Sequence, residues 1–257
     1  LSDINESIKS YQQAIKIKPD YSKALLELGA IYESKSDWSA ASNCYYRLIG
    51  TKPDNVNAYL RLARTLLKQD KIYGAISAYQ EAIQLRSNLP AKVYKDLGDL
   101  LTQIQANKAD ILAAYQKASE LKSDWQASFY LKFGDLLMEQ EQFAQAITQY
   151  QKALELKSDF VPAYLALGDA YLKQKDLSQA NHYYQKALQL KSDSALAYKK
   201  LAMLQEQAGQ FDQAIQLYQK VLEIKPETNS AMCRAIGNIL IKQGRLEEAK
   251  YYYDRAI

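Results

Sequence analysis

The chain has 257 residues, 48% hydrophobic and 24% charged, which is the balance of an ordinary folded protein. Its formal net charge is only +4 and it has no run of Lys and Arg, so nucleic acid and anionic membrane are not expected partners. No apolar stretch approaches the ~18–20 residues that span a bilayer. Two distant cysteines, Cys44 and Cys233, cannot form a zinc site with the single His182, and they are compatible with a reducing compartment such as the cytoplasm.

A tyrosine recurs at intervals of 34 to 36 residues along the whole chain. The series is Tyr11, Tyr45, Tyr79, Tyr115, Tyr150, Tyr184, Tyr218 and Tyr253. A small residue keeps step with it, at Gly29, Ala63, Gly98, Gly134, Gly168, Ala202 and Gly237. A helix-breaking or capping residue follows each of the first seven tyrosines, at Pro19, Pro53, Ser87, Ser123, Ser158, Ser192 and Pro226. A fixed period of this length indicates an array of stacked structural repeats.

In chain order, the period divides the sequence into a half repeat and seven further repeats. These are residues 1–21, 22–55, 56–90, 91–126, 127–160, 161–194, 195–229 and 230–257. The half repeat holds one short stretch with apolar residues at helical spacing and each further repeat holds two, which predicts about 15 helices and no strands. Gly168 and Ala180 lack side-chain bulk, so the two helices of a pair are expected to approach closely. The Lys-Pro-Asp and Lys-Ser-Asp junctions are expected to stop one helix and cap the next.

Two repeats depart from the pattern. Repeat four has Ile111 where a small alanine is usual, one extra residue in its turn Gln103–Ala109, and Pro90 in the junction before it. These features predict a local distortion, seen as a change of superhelical pitch. Repeat seven has Gln205 where Tyr or Leu is usual.

The spacing resembles the tetratricopeptide repeat, and repeat six matches its pattern best. Its matching residues are Tyr164, Leu167, Gly168, Tyr171, Ala180, Tyr184 and Ala187. The resemblance implies an all-α, right-handed superhelical solenoid of antiparallel helix pairs that forms one domain over residues 1–257. It also implies a scaffold that binds other proteins on a concave face lined by the first helix of each pair. The chain begins inside a repeat and ends inside another, which indicates a fragment.

No pattern in the sequence indicates catalysis, a metal or a cofactor. The nucleotide-binding Gly-rich motifs, the zinc-protease HExxH motif and the GxSxG nucleophile motif are missing. The expectation is therefore a protein that is not an enzyme, with no catalytic residue, no metal ligand and no cofactor.

The resemblance places two residues of each first helix on the concave face. In repeats four to six it predicts an apolar groove of Leu131, Leu165, Met138 and Leu172, edged by Asp99, Asp135 and Asp169. Lys95, Lys199 and Arg234 are predicted on the same face, which turns basic toward the C-terminus. Carboxylates in a row favour a peptide or protein segment with basic and apolar residues. The alternative is that the aspartates only solvate the groove or pair with Lys95 and Lys132.

Two other functions remain open at this point. The chain could be the regulatory or substrate-recruiting arm of a larger enzyme whose catalytic domain lies outside this sequence. It could also assemble with itself, because uncapped terminal repeats can stack head to tail between chains.

Overall fold

The computed structural model describes residues 2–256, except for the side chains of residues 2, 3, 228 and 229. Leu1 and Ile257, at the ends of the first and last predicted repeats, lie outside the described residues. Over the described range the chain forms fifteen α-helices and one 3-10 helix, with no strand. The predicted all-α fold with about 15 helices is confirmed.

The helices belong to two compact units, Leu1–Ser123 and Asp124–Ile257. The first unit contains α1 (Ser2–Ile17), α2 (Ser22–Ser34), α3 (Trp38–Thr51), α4 (Val56–Leu67), α5 (Ile72–Leu85), α6 (Ala91–Gln103) and α7 (Lys108–Leu121). The second contains α8 (Ala127–Glu139), α9 (Phe143–Leu156), α10 (Val161–Lys173), α11 (Leu177–Leu190), α12 (Ala195–Gln207), α13 (Phe211–Ile224), α14 (Asn229–Lys242) and α15 (Leu246–Asp254), with the 3-10 helix at Pro226–Thr228. Short turns join the helices of each pair, from α2–α3 to α14–α15, so the two helices run antiparallel.

The turn inside each pair contains one residue with a positive φ angle. The seven residues are Ser36, Asp70, Gln105, Glu141, Lys175, Gly209 and Gly244. A left-handed conformation costs a residue with a Cβ atom about 1–2 kcal/mol, and glycine avoids that cost. Only repeats seven and eight use glycine there, so five turns of the described chain hold a strained residue.

The close approach within a pair depends on a glycine of the first helix and a tyrosine of the second. A Cβ atom at Gly29, Gly134 or Gly168 would lie 2.6, 2.4 or 2.2 Å from the ring of Tyr45, Tyr150 or Tyr184, respectively. These three rings are at most 1% exposed. The ring therefore occupies the space that any other side chain would need, and the predicted role of Gly168 in close packing is confirmed.

Repeat four packs more loosely than these pairs. A Cβ atom at Gly98 would lie 3.3 Å from the Tyr115 ring, and the buried Ile111 fills the position that alanine holds elsewhere. The predicted extra residue is also present, because Ala106 and Asn107 both stand between the strained Gln105 and the start of α7. Asn107 uses this position to accept a hydrogen bond from the backbone N–H of Ala109 at 2.9 Å. The predicted change of superhelical pitch stays a prediction.

The junctions end helices as predicted, but their aspartates do not cap the next helix. Asn55, which follows Asp54, accepts a hydrogen bond from the N–H of Ala58 at 3.0 Å. Ser194 occupies the same place before α12 and accepts from the N–H of Ala197 at 3.3 Å. The predicted capping therefore occurs at these two junctions, through the residue after the aspartate. It does not occur before α2, α8 and α10, where Tyr21, Gln126 and Phe160 make no side-chain cap. The capping oxygen must belong to the residue immediately before the first helical turn, and the junction aspartate lies one residue too early.

Candidate functional site

The three predicted aspartates accept hydrogen bonds from the repeat tyrosines. The Tyr115 hydroxyl donates to Asp99 at 2.5 Å in the first unit. In the second unit, Tyr150 donates to Asp135 at 2.8 Å and Tyr184 donates to Asp169 at 2.6 Å. One oxygen of each carboxylate is therefore used inside its own helix pair, which fixes the position of the charge.

Other repeats satisfy the tyrosine hydroxyl differently. In repeat eight Asn238 stands in the aspartate position and accepts from Tyr253 at 2.6 Å. In repeat two the acceptor is Glu33, one turn later along α2, which lies 2.7 Å from the Tyr45 hydroxyl. The hydroxyl thus needs an acceptor but not an acid at one fixed position. Burial and the neighbouring acid raise the pKa of Tyr45 above its ordinary value and that of Tyr218 to about 12, so these two hydroxyls stay protonated donors.

Two of the three aspartates are also paired with a cation. Lys95 lies 2.5 Å from Asp99, one helical turn away on α6. Lys200 of α12 lies 2.7 Å from Asp169 of α10 and so links repeat six to repeat seven. The alternative prediction, that an aspartate pairs with Lys95, therefore describes Asp99 correctly.

Asp135 has no cationic partner among the described residues, and its only hydrogen bond there comes from Tyr150. The position in the next repeat that Lys200 occupies for Asp169 is held for Asp135 by Ala166, which carries no charge. Although much of its surface is exposed, desolvation raises the pKa of the Asp135 carboxyl above its ordinary value. The Tyr150 hydrogen bond opposes this rise in the pKa, while the negative charges of Glu139 and Asp169 add to it.

The remaining predicted residues differ in how much surface they offer. Leu131 and Met138 of α8 and Leu172 of α10 are half-buried. Leu165 is 8% exposed because it packs in a core cluster with Ala197 and Leu201. Lys199 on α12 and Arg234 on α14 are exposed, and neither has a hydrogen-bond or ion-pair partner among the described residues.

Two exposed apolar residues of the second unit were not predicted as site residues. Met203 on α12 is 51% exposed and Ile241 on α14 is 49% exposed. Met203 follows Lys199 by four residues, and Ile241 follows Arg234 by seven, so each lies on the same face of its helix as the predicted cation. The repeat register that located Asp135 would also have located both.

Elsewhere in the described chain, nothing points to a metal centre or a membrane segment. No three His, Cys, Asp or Glu side chains among the described residues are grouped so that they could hold a metal ion. No helix within residues 2–256 is long and apolar enough to cross a bilayer. The candidate site is thus a helix surface with one unpaired carboxylate, two free cations and exposed apolar side chains.

Solved structures of repeat proteins resemble this fold. The crystal structure of MamA protein is 26% identical, with a TM-score of 0.53 over 68% of this chain and 93% of that one. YrrB, described as a TPR protein with an unusual peptide-binding site, is 17% identical, with a TM-score of 0.60 over 74% of this chain and 96% of that one. The C-terminal part of a TPR repeat-containing protein from Cytophaga hutchinsonii is 16% identical, with a TM-score of 0.65 over 90% and 93%.

Family models agree with the structural likeness. A TPR repeat model matches residues 1–36 and 134–175, and a tetratricopeptide repeat model matches residues 32–90 and 165–229. A further tetratricopeptide repeat model matches residues 206–257. No curated protein sequence matches the chain. The matched residues, the recurring glycine–tyrosine packing and the stacked helix pairs together show that this chain belongs to the tetratricopeptide repeat family.

Proposed function

We propose that the chain is a non-catalytic scaffold that binds an extended peptide segment carrying a basic residue and apolar residues. The fold of stacked helix pairs suggests a protein-interaction scaffold in general, and one structurally similar protein, YrrB, is described as having a peptide-binding site. The proposal concerns the first-helix face of the second unit, which carries Asp135. Asp99 and Lys95 belong to the first unit and are treated there as a separate pair.

The observation that carries the proposal is the unpaired carboxylate of Asp135. One of its oxygens accepts the Tyr150 hydroxyl, so the side chain is held in place before any ligand arrives. Without a ligand, desolvation and the negative charges of Glu139 and Asp169 disfavour the ionised form of Asp135, which raises its pKa. A Lys or Arg of a ligand would relieve this repulsion, and a preorganised acceptor loses little side-chain entropy on binding.

Apolar side chains beside Asp135 give the ligand a second kind of contact. Leu131 and Met138 lie four residues before and three residues after Asp135, which puts all three on one face of α8. Leu172 stands three residues after Asp169 and has the same position on α10. A basic residue of the peptide would meet Asp135 while neighbouring apolar residues cover these side chains.

The cations of repeats seven and eight give this face a charge that differs between its two ends. Lys199 and Arg234 are exposed and have no partner among the described residues. A segment that is basic at one end and acidic at the other, or that ends in a free carboxylate, would complement both regions. The charges would then set the direction in which the segment lies.

The test is a titration with an acetylated, fluorescently labelled nonapeptide of alternating lysine and leucine residues, followed by fluorescence anisotropy at two salt concentrations. Asp135→Asn keeps an acceptor for Tyr150, as Asn238 does for Tyr253. We expect it to weaken binding about fivefold and to reduce the salt dependence, because an exposed charge pair contributes about 1 kcal/mol.

Asp99→Asn in the first unit is the matched control. Asp99 already has Lys95 as its cation, so this change should leave the affinity nearly unaltered. A second control replaces each lysine of the peptide with glutamine, which should abolish the difference between wild type and Asp135→Asn. Affinity and salt dependence that are the same in Asp135→Asn as in wild type would rule the proposal out.

A further inference from the structure

A cleft of about 510 Å³ lies between α11, α12 and α13 of the second unit, and its walls are rich in side-chain amides. The amides belong to Asn181, Gln185, Gln205, Gln213 and Gln216. Leu201 and Leu217 are the only apolar residues among those that line it. Five amides surround two leucines, and the one charged residue of the lining, Lys220, is paired with Glu223.

Most of the donors and acceptors of these amides are not used within the described chain. Gln205 donates to the Asn181 side chain at 3.3 Å, and both residues are half-buried. The side chains of Gln185, Gln213 and Gln216 are exposed and make no hydrogen bond with any described residue. Each primary amide offers both a donor and an acceptor, which is the same pair of groups that a peptide backbone presents at every residue.

Gln205 distinguishes the cleft of repeat seven from the same position in other repeats. Three residues after its small residue, Gln205 stands where repeats three, four and five have Leu66, Leu101 and Leu137, each at most 5% exposed. Repeat two has an equivalent cleft of about 530 Å³, but that cleft has Tyr32 in the place of Gln205 and is flanked by Lys16 and Arg47. Both clefts have amides and one cation in the same register position, Arg47 in repeat two and Lys220 in repeat seven. They differ in that repeat two has the aromatic ring of Tyr32 and a second cation, Lys16, whereas repeat seven has the amide of Gln205.

The cleft is distinct from the face that carries Asp135. Lys200, which pairs with Asp169, and Gln205 both belong to α12 and are five residues apart. At 3.6 residues per turn they point about 140° away from each other around the helix axis. A ligand in the cleft would therefore contact a different surface of the second unit.

We infer that this cleft is a second binding site, for an extended, uncharged peptide segment rich in Gln, Asn or Ser with one apolar side chain such as leucine. The backbone and side-chain amides of such a segment would pair with Gln185, Gln213 and Gln216, and its apolar side chain would cover Leu201 and Leu217. The cleft does not favour an anion, because the ammonium of Lys220 at its edge already lies 2.7 Å from Glu223. No aromatic ring is among the lining residues, so a sugar would find no ring to stack on.

The test follows the side-chain amide signals of ¹⁵N-labelled protein by NMR during titration with an octapeptide. The peptide is acetylated and amidated, and alternates serine and glutamine around one central leucine. We expect saturable shifts confined to α11, α12 and α13, with a Kd between about 10 μM and 1 mM. Gln205→Leu should weaken binding at least fivefold and still fold, because leucine occupies this position, well buried, in four other repeats.

Gln151→Ala is the matched control, because Gln151 follows Tyr150 as Gln185 follows Tyr184 but lies outside the cleft. It should leave the Kd unchanged, whereas Gln185→Ala should raise it, and Asp135→Asn should also have no effect. Three results would overturn the inference. They are no shifts at about 2 mM peptide, shifts that persist in Gln205→Leu, or saturation of the same signals by a maltose oligomer in place of the peptide.

Discussion

Gly168 is the position where one added methyl group should disturb the packing most. An ideal Cβ atom there would lie 2.2 Å from Cε1 of Tyr184, whereas ordinary carbon contacts begin near 3.5 Å, so the ring would have to move by about 1 Å. The ring cannot move freely, because it is 1% exposed and its hydroxyl is bonded to Asp169 at 2.6 Å. Overpacking of this kind costs about 1–3 kcal/mol, and the better helix propensity of alanine returns at most about 1 kcal/mol.

We therefore expect Gly168→Ala to lower the free energy of unfolding by about 1–2 kcal/mol, which corresponds to a fall in Tm of roughly 2–8 °C. Circular dichroism during thermal and urea unfolding would measure it. Gly50→Ala in α3 is the matched control, because a Cβ atom there has no heavy atom within 4 Å, and it should be neutral or stabilising. Gly98→Ala should lie between the two, since its nearest contact is 3.3 Å. A Gly168→Ala protein as stable as wild type would refute this account of the glycine.

Two further predictions concern a strained turn and a titrating acid. Lys175→Gly should raise the free energy of unfolding by about 0.5–1 kcal/mol, because Lys175 has a φ of 64° and glycine carries no Cβ penalty there; the reverse change Gly209→Lys should lower the Tm. The pKa of the Asp135 carboxyl is raised in the folded protein, so the folded protein binds the carboxyl proton more tightly than the unfolded chain does. Proton binding at Asp135 therefore stabilises the fold at low pH, and this stabilisation is lost as pH rises through the raised pKa. Asp135→Asn, which resembles the protonated acid, should have a higher Tm than wild type at pH 7, and the difference should shrink as pH falls toward about 3.5. A difference that did not change with pH would show that the charge of Asp135 is not the cause.

The helix pairs could be predicted from the sequence because their packing depends on residue size at a fixed period. Tyr184, Gly168 and Ala180 recur at their positions in most repeats, and the structure uses them as the period predicts. The extra residue after Gln105 was predictable for the same reason, since an insertion shifts the register of everything that follows it. Periodicity of this kind reports which side chains must be small or buried.

The partners of individual polar groups were harder to predict. Asp99, Asp135 and Asp169 look equivalent in sequence, yet only Asp135 lacks a cation among the described residues. Asp169 pairs with Lys200 of the next repeat, whereas Ala166 holds that position for Asp135, and this difference matters only once two first helices lie side by side. Asp99 pairs instead with Lys95 of its own helix, and Leu131 holds that position before Asp135. The strained turn residues were not anticipated either, because five of them are not glycine and their conformation is imposed by the helices on both sides.

In six repeats the tyrosine hydroxyl donates to an acid or an amide, and this bond separates two kinds of constraint on the neighbouring residues. Tyr150 and Gly134 are constrained by shape, since any enlargement of one must displace the other. The residue that accepts the hydroxyl is constrained only to supply an oxygen, and the chain itself uses Asp135, Glu33 and Asn238 for that purpose. Single substitutions of the accepting residue can therefore change the charge of the first-helix face one repeat at a time while the buried glycine–tyrosine packing is kept. An array built this way could change its binding partners during evolution without any change to the residues that pack its helices.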